Sequence, residues 1–235
     1  MQKTTIEWSE QVWNPSTGCD KISGGCKNCY AESIAERFRG SKAFPNGFAF
    51  MLRPERFEQP LHWRRPSLIF VNSMSDLFHE EMPLEVLQKL FNVMRQCPQH
   101  IFQILTKRHQ RLAELAPELA WHDNIWMGVS IENQDCTVRT DYLRQVPAAI
   151  RFISAEPLLG PIELDLAGIS WVIVGGESGP RCRPMSIEWA RDVRDQCRQA
   201  GVSYFLKQLG GHPDKGHQLT NFPEDLRIRE MPLKT

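Results

Sequence analysis

The chain has 235 residues, with 28 basic and 28 acidic side chains, 41% hydrophobic residues and 24% charged ones. That balance excludes wholesale disorder, and a formal charge of zero removes any bulk electrostatic argument for a nucleic-acid binder. No apolar run approaches the roughly 18 residues of a membrane span, and Met1-Gln2-Lys3-Thr4-Thr5 leads into no hydrophobic stretch, so neither a span nor a signal peptide is expected. Seven cysteines, an odd number, argue against a disulfide framework and for the reducing cytoplasm.

In chain order, a first strand is expected among residues 5–13. A glycine-rich loop with Cys19, Cys26 and Cys29 follows, then a helix from Tyr30 to Arg39 before Gly40. Residues 40–66, punctuated by Pro45, Gly47, Pro54, Pro60 and Pro66, read as an irregular excursion rather than a domain. Strand 68–71 comes next. A helix follows with Pro83 as its first residue, spaced through Leu87, Leu90, Phe91 and Met94 and stopped by Cys97-Pro98. Strand 101–105, helix Lys107–Ala116, strand 125–129, helix Gln134–Val146, and strands 150–153 and 171–174 succeed one another. The last helix has Ser186 as N-cap and Gly201 just past its end, before strand 202–206 and a polar, turn-rich tail over 211–235.

Nearly continuous apolar strands alternating with helices predict an α/β fold with a parallel sheet buried on both faces. The expectation is one domain with its core at about 5–210, a partial or near-complete (β/α) barrel of about six to eight parallel strands. A doubly wound open sheet is the alternative. In either, the C-terminal strand ends gather on one face, where α/β proteins place their sites. Here those ends carry Asn72, Ser73, Ser75 and Asp76; Thr106 and Lys107; Ser130 and Glu132; Ser154 and Glu156; Gly175, Gly176 and Glu177; and Lys207 and Gln208.

The three clustered cysteines are spaced Cys-x6-Cys-x2-Cys and enter a helix at Tyr30. Soft thiolates suit zinc or iron–sulfur iron. A structural zinc wants four ligands, and the next histidine after the loop is His62; Cys182 and His79 are more distant candidates. Three cysteines on a [4Fe–4S] cluster would instead leave one iron open. Cys97 and Cys197 lie on helix patterns and read as core.

The motif Asn-Pro-x3-Gly-Cys…Gly-Cys-x2-Cys-Tyr-Ala, set before a series of βα units, resembles the cluster loop of radical S-adenosylmethionine (SAM) enzymes, closest to spore photoproduct lyase-like members. The whole chain, with Asn-Ser-x-Ser-Asp at 72–76, Leu-Thr-Lys at 105–107, Ala-Glu-Pro-Leu-Leu-Gly at 155–160 and Gly-Gly-Glu-Ser-Gly at 175–179, resembles a phage-borne three-cysteine-motif family described as radical-SAM-like. The usual superfamily spacing is Cys-x3-Cys-x2-Cys with an aromatic before the last cysteine. Here the first gap is six, Asn28 takes the aromatic position and Tyr30 follows.

The resemblance implies a [4Fe–4S] cluster on Cys19, Cys26 and Cys29, with SAM on the open iron beside Tyr30. It also implies a flavodoxin- or ferredoxin-like reductant and a nucleotide or nucleic-acid substrate, with a partner protein encoded nearby. Ser73, Ser75 and Asp76 are the candidates for the methionyl amine and Lys107 for its carboxylate. Ser130 and Glu132 are assigned to the ribose, and Gly175 and Gly176 to close approach of the adenosine. Glu156, Glu177, Lys207 and Arg181 are left to the substrate as catalytic or binding groups. The competing class is a non-catalytic zinc or iron–sulfur binding module, or a partner subunit of a phage nucleic-acid modification system, with Arg53, Arg56, Arg64 and Arg65 as a phosphate patch.

Overall fold

The computed structural model describes Thr4 and residues 6–232. Seven parallel strands form its main sheet: β1 (Gln11–Trp13), β4 (Leu68–Val71), β5 (Ile101–Thr106), β6 (Ile125–Ser130), β7 (Ile150–Ala155), β8 (Trp171–Gly175) and β9 (Ser203–Gln208). They lie side by side in chain order, each hydrogen-bonded to the next. A doubly wound sheet reverses its strand order at a switch point, and this sheet has none. Successive right-handed crossovers therefore stack on one side and curl the sheet into a half-barrel. Among the described residues no helix is long and apolar enough to cross a membrane.

The period-2 alternation of each strand divides the core into two. Ile69, Val71, Ile104, Met127, Val129, Ile153, Val172 and Val174 face outward under the helices α2 (Leu84–Arg95), α3 (His109–Leu115), α4 (Arg139–Leu143) and α5 (Ile187–Ala200). The concave face holds Phe70, Trp126, Phe152, Trp171, Ile173 and Phe205, with Trp8 packed among them. Its aromatic rings meet edge-on or tilted, as Trp8–Phe70 at 4.7 Å and Phe152–Trp171 at 5.6 Å. Gly128 makes room for Phe152, since a Cβ there would lie 2.4 Å from the ring. Gly128→Ala is therefore expected to cost about 1–3 kcal/mol in urea denaturation; an unchanged midpoint would mean the interior is looser than described.

Pro83 stands as the N-cap of α2 rather than as its first residue, and Ser186 caps α5 by accepting the Glu188 N–H at 3.3 Å. Gly201 closes α5 at φ 67°. The helix expected over Gln134–Val146 is shorter: a 3₁₀ turn at Gln134–Cys136 precedes α4. In the 40–66 excursion, β3 (Met51–Leu52) pairs antiparallel with β2 (Ser16–Thr17), and Arg53 reaches Thr17 Oγ1 at 3.2 Å and the Ala43 carbonyl. Arg53 is thus buried structure rather than an exposed phosphate ligand.

The tail belongs to the core. Phe222 and Leu226 are buried, and residues 228–230 bond to the free edge of β9 through Leu206 N–H to Ile228 O and Glu230 N–H to Tyr204 O. That cover blunts an otherwise bare strand edge.

Candidate functional site

The cysteine loop lies across the C-terminal mouth of the half-barrel, and the strand ends hold it there. Gly18 sets its course: at φ +84°, a Cβ would lie 2.1 Å from the Ala49 carbonyl oxygen, so only glycine fits. The Gly18 N–H donates to Met74 O at 2.9 Å, and Ser75 Oγ donates to Gly18 O at 2.7 Å. Asn72, at φ 60°, turns the chain sharply after β4 and donates from Nδ2 to Ser16 Oγ at 2.9 Å.

Each further strand end adds a tie. After β5, Arg108 reaches Cys19 Sγ at 3.4 Å, Asp76 Oδ2 at 3.4 Å and Glu80 Oε2 at 2.7 Å. After β6, Glu132 accepts from Ser23 Oγ at 2.7 Å while pairing with Lys107 at 3.1 Å and Arg139 at 2.9 Å. After β8, Glu177 accepts from Asn28 Nδ2 at 2.9 Å and is gripped by Arg183, whose Nη2 lies 2.5 Å from Oε1. Helix α1 (Tyr30–Arg37) leads away from the loop, and Tyr30 donates to Ser73 O at 2.8 Å.

Two adjoining cavities open beneath the loop, of about 190 and 170 Å³, sharing Cys26, Cys29, Tyr30, Lys107 and Ser130 in their walls. The first continues past Ser154, Glu156, Gly176, Glu177 and Lys207 to a floor of Ile6, Trp8 and Phe70. The second holds Cys19, Ser73, Ser75 and Asp76. Glu132 stands behind Lys107, and Gly175 behind Glu156, whose carboxylate a Cβ would approach to 3.3 Å. A wider, open depression of about 730 Å³ at the opposite strand ends, beside Glu10, Ser67 and His122, lacks any such convergence of thiols and charged pairs.

The assignments made from sequence change with the partners seen. Asp76 accepts from Thr106 Oγ1 at 2.7 and 2.9 Å, Phe78 N at 2.9 Å, Lys107 N at 3.1 Å and Arg108. A carboxylate has about four lone-pair positions, so little remains for a ligand amine. Ser75 is spent on the cysteine loop, and Ser73 Oγ donates to Asn14 Oδ1 at 3.2 Å. Gly176 is required by protein, since a Cβ would lie 2.0 Å from Leu209 O. Arg181 offers its carbonyl to Asn28 at 2.8 Å. Inside the first cavity, Lys207 pairs with Glu156 at 2.5 Å. The Trp8 Nε1–H, buried beside them, has no hydrogen-bond partner among the described residues.

Burial, reinforced by the Asp76 carboxylate, pushes the Cys19 thiol up to about 11 against the pull of Arg108. Burial also raises Cys29, while the N–H groups of Glu32 and Ala31 act to lower it. Ligation must therefore displace protons from these sulfurs. Burial would raise Glu132 too, but Lys107 and Arg139 outweigh it and hold its carboxyl at about 2.

All seven cysteines are free, and Cys97 and Cys197 are buried as expected of core residues. Among the described residues, the only trio of Cys, His, Asp or Glu ligand atoms within 4.8 Å of one another is Asp20–His79–Glu81. The three loop sulfurs are therefore spread more widely, whereas tetrahedral bonds of 2.3 Å to a single zinc would set sulfurs about 3.8 Å apart. Three free soft donors on one loop are a set that could hold zinc or iron–sulfur iron. The Asp20 trio is a hydrogen-bonded clamp: His79 Nδ1 accepts the Glu81 N–H at 3.2 Å, so Nε2 carries the proton donated to Asp20 at 3.1 Å. A protonated ring nitrogen has no lone pair for a metal.

Arg108, Arg139 and Arg183 escaped the sequence reading. Arg108 directly follows the flagged Lys107, a signal that was available; the partners of the other two are set by the fold. No curated protein and no solved structure matches the chain. Residues 3–228 match the model of the family described as "Protein of unknown function (DUF5131)", and the chain belongs to that family.

Proposed function

We propose that the chain is a radical SAM-like enzyme of the cytoplasm, binding a [4Fe–4S] cluster through Cys19, Cys26 and Cys29. The observation that carries this reading is the placement of three free thiols over a polar-walled cavity at the mouth of a parallel half-barrel. When bound, the cluster would supply the electron that cleaves SAM to methionine and a 5′-deoxyadenosyl radical, for hydrogen abstraction from a nucleobase or nucleic acid.

The chain's own residues would do the rest. Lys107, on the shared wall, is placed to meet a carboxylate, with Glu132 fixing its direction. Phe70, beside Trp8 on the floor, offers a flat apolar surface for a base. Glu156 and Lys207 hold each other's charge within the cavity and could exchange a proton with substrate. Ser75, Asp76, Glu132 and Glu177 act as positioning residues for the loop.

The test is anaerobic reconstitution followed by metal analysis and SAM turnover. About four irons per chain and formation of 5′-deoxyadenosine are expected, with Cys26→Ala losing both. Stoichiometric zinc without iron would sink the reading and favour a binding module; iron without SAM cleavage would leave a cluster protein of another kind.

A further inference from the structure

Helix α1 presents an unusual surface beside the cysteine loop. Its inner side packs Ala31 and Ala35 against Phe48. Its outer side exposes Tyr30, Ile34 and Phe38 at successive i, i+4 positions, with Ile34 40% and Phe38 50% exposed, and Ile22 of the loop is 43% exposed. Among the described residues, three of the seven exposed large apolar side chains thus follow one stripe, on a helix whose N-cap is Cys29.

The unpaired charges around this stripe are mostly positive. Glu32 pairs with Lys21 and Glu36 with Arg39, while Asp20 has only a hydrogen bond from His79. Lys27, Arg37 and Lys42 are exposed and form no salt bridge among the described residues; Arg37 lies over the Phe38 ring at 5.7 Å. An apolar centre with an unneutralised cationic rim is the anatomy of a protein interface awaiting an acidic face. A second copy of this chain would set the cations against themselves across a two-fold axis. Phosphate backbones do not call for exposed Ile and Phe, and three cations make a short track.

We propose that the α1 face is the docking surface for an acidic protein that delivers electrons to the cysteine loop. The donor would lose one electron and the cluster would gain it; naming the partner as a reductant rests on the function proposed above. The position follows from the structure: the helix springs from Cys29 itself, so a protein seated on Ile34 and Phe38 stands beside the sulfurs without entering the cavity.

The probe is flavodoxin, titrated into the full chain by calorimetry at low and raised salt, beside Ile34→Asp, Phe38→Asp and the remote control Leu61→Asp. Both stripe variants are expected to weaken binding about tenfold or more, and salt to weaken it further, while the control binds as the parent does. In iron-loaded protein, reduction of the cluster by flavodoxin should slow in the stripe variants while reduction by dithionite stays unchanged. Equal binding by all four proteins, an equal loss in the control, or failure of flavodoxin to bind would overturn the proposal. So would an oligonucleotide that binds in its place and is released by Lys27→Glu. Iron content separates the two readings: a chain without iron defeats the enzyme assignment, whereas a loaded chain indifferent to flavodoxin defeats only the docking site.

Discussion

Asp76→Ala is expected to lower the stability of the fold by about 3–5 kcal/mol, the largest effect of any single change at the barrel mouth. The carboxylate is buried and ties its own turn to the end of β5, accepting from Phe78 in the turn and from Thr106, Lys107 and Arg108. Without it, Arg108, whose side chain is 3% exposed, would keep only Glu80, itself 64% exposed, and the Cys19 thiol as charged or polarisable partners. A buried guanidinium left half-paired costs far more than the hydrogen bonds removed. Asp76→Asn keeps one carbonyl acceptor and should fall between the two. Urea denaturation gives the comparison, and a loss below about 1 kcal/mol for the alanine variant would refute the account of Asp76 as the keystone of these contacts.

The second large effect concerns acid. Glu132 is held at about 2 by Lys107 and Arg139 despite its burial, well below an ordinary glutamate. A carboxyl depressed in the folded state contributes stability that is fully present above its unfolded value. That stability drains away as pH falls through the folded one. The window is therefore from about pH 4.5 down to about 2, and the contribution above it is about 3 kcal/mol. Glu132→Gln should be less stable than the parent by about that amount at neutral pH, and the two curves should converge toward pH 2. Because Ser23 also bonds to Glu132, the cysteine loop should loosen with it, seen as faster reaction of Cys26 with a thiol reagent. Parallel stability curves across this range would show that the ion pairs contribute nothing there.

Much of the fold could be read from the chain because its strands are buried on both faces and so advertise themselves as unbroken apolar runs. Leu68–Val71 is an example, matching β4 residue for residue. The apolar run Ile150–Ile153 is shorter than the strand it marks, since Ser154 and Ala155 continue the ladder beside β6 and β8. The choice between half-barrel and open sheet was not legible, since it lies in the order of strands rather than in their composition. The meeting place of the polar strand ends is legible, as these residues do gather around the cysteines. Their tasks are not. Glu177 and Asn28 are 149 positions apart, and Ser23 and Glu132 are 109; no spacing rule connects such pairs. Charged groups that sequence reading offered to a cofactor turn out to be largely occupied with protein.

The ties that fasten the cysteine loop to β4, β5, β6 and β8 also bear on when the site comes into being. Ser75, Arg108, Glu132 and Glu177 reach the loop only once their strands are paired. If the thiols hold a cluster as proposed, the chain would fold first and take the metal second, unlike small zinc domains whose ligation drives their folding. Most of the ordering entropy of the three thiols is lost in the folding of the barrel, before any ligand reaches them. The arrangement of the three sulfurs is thus a property of the whole sheet, and a substitution deep among the strands can scatter them without touching a cysteine.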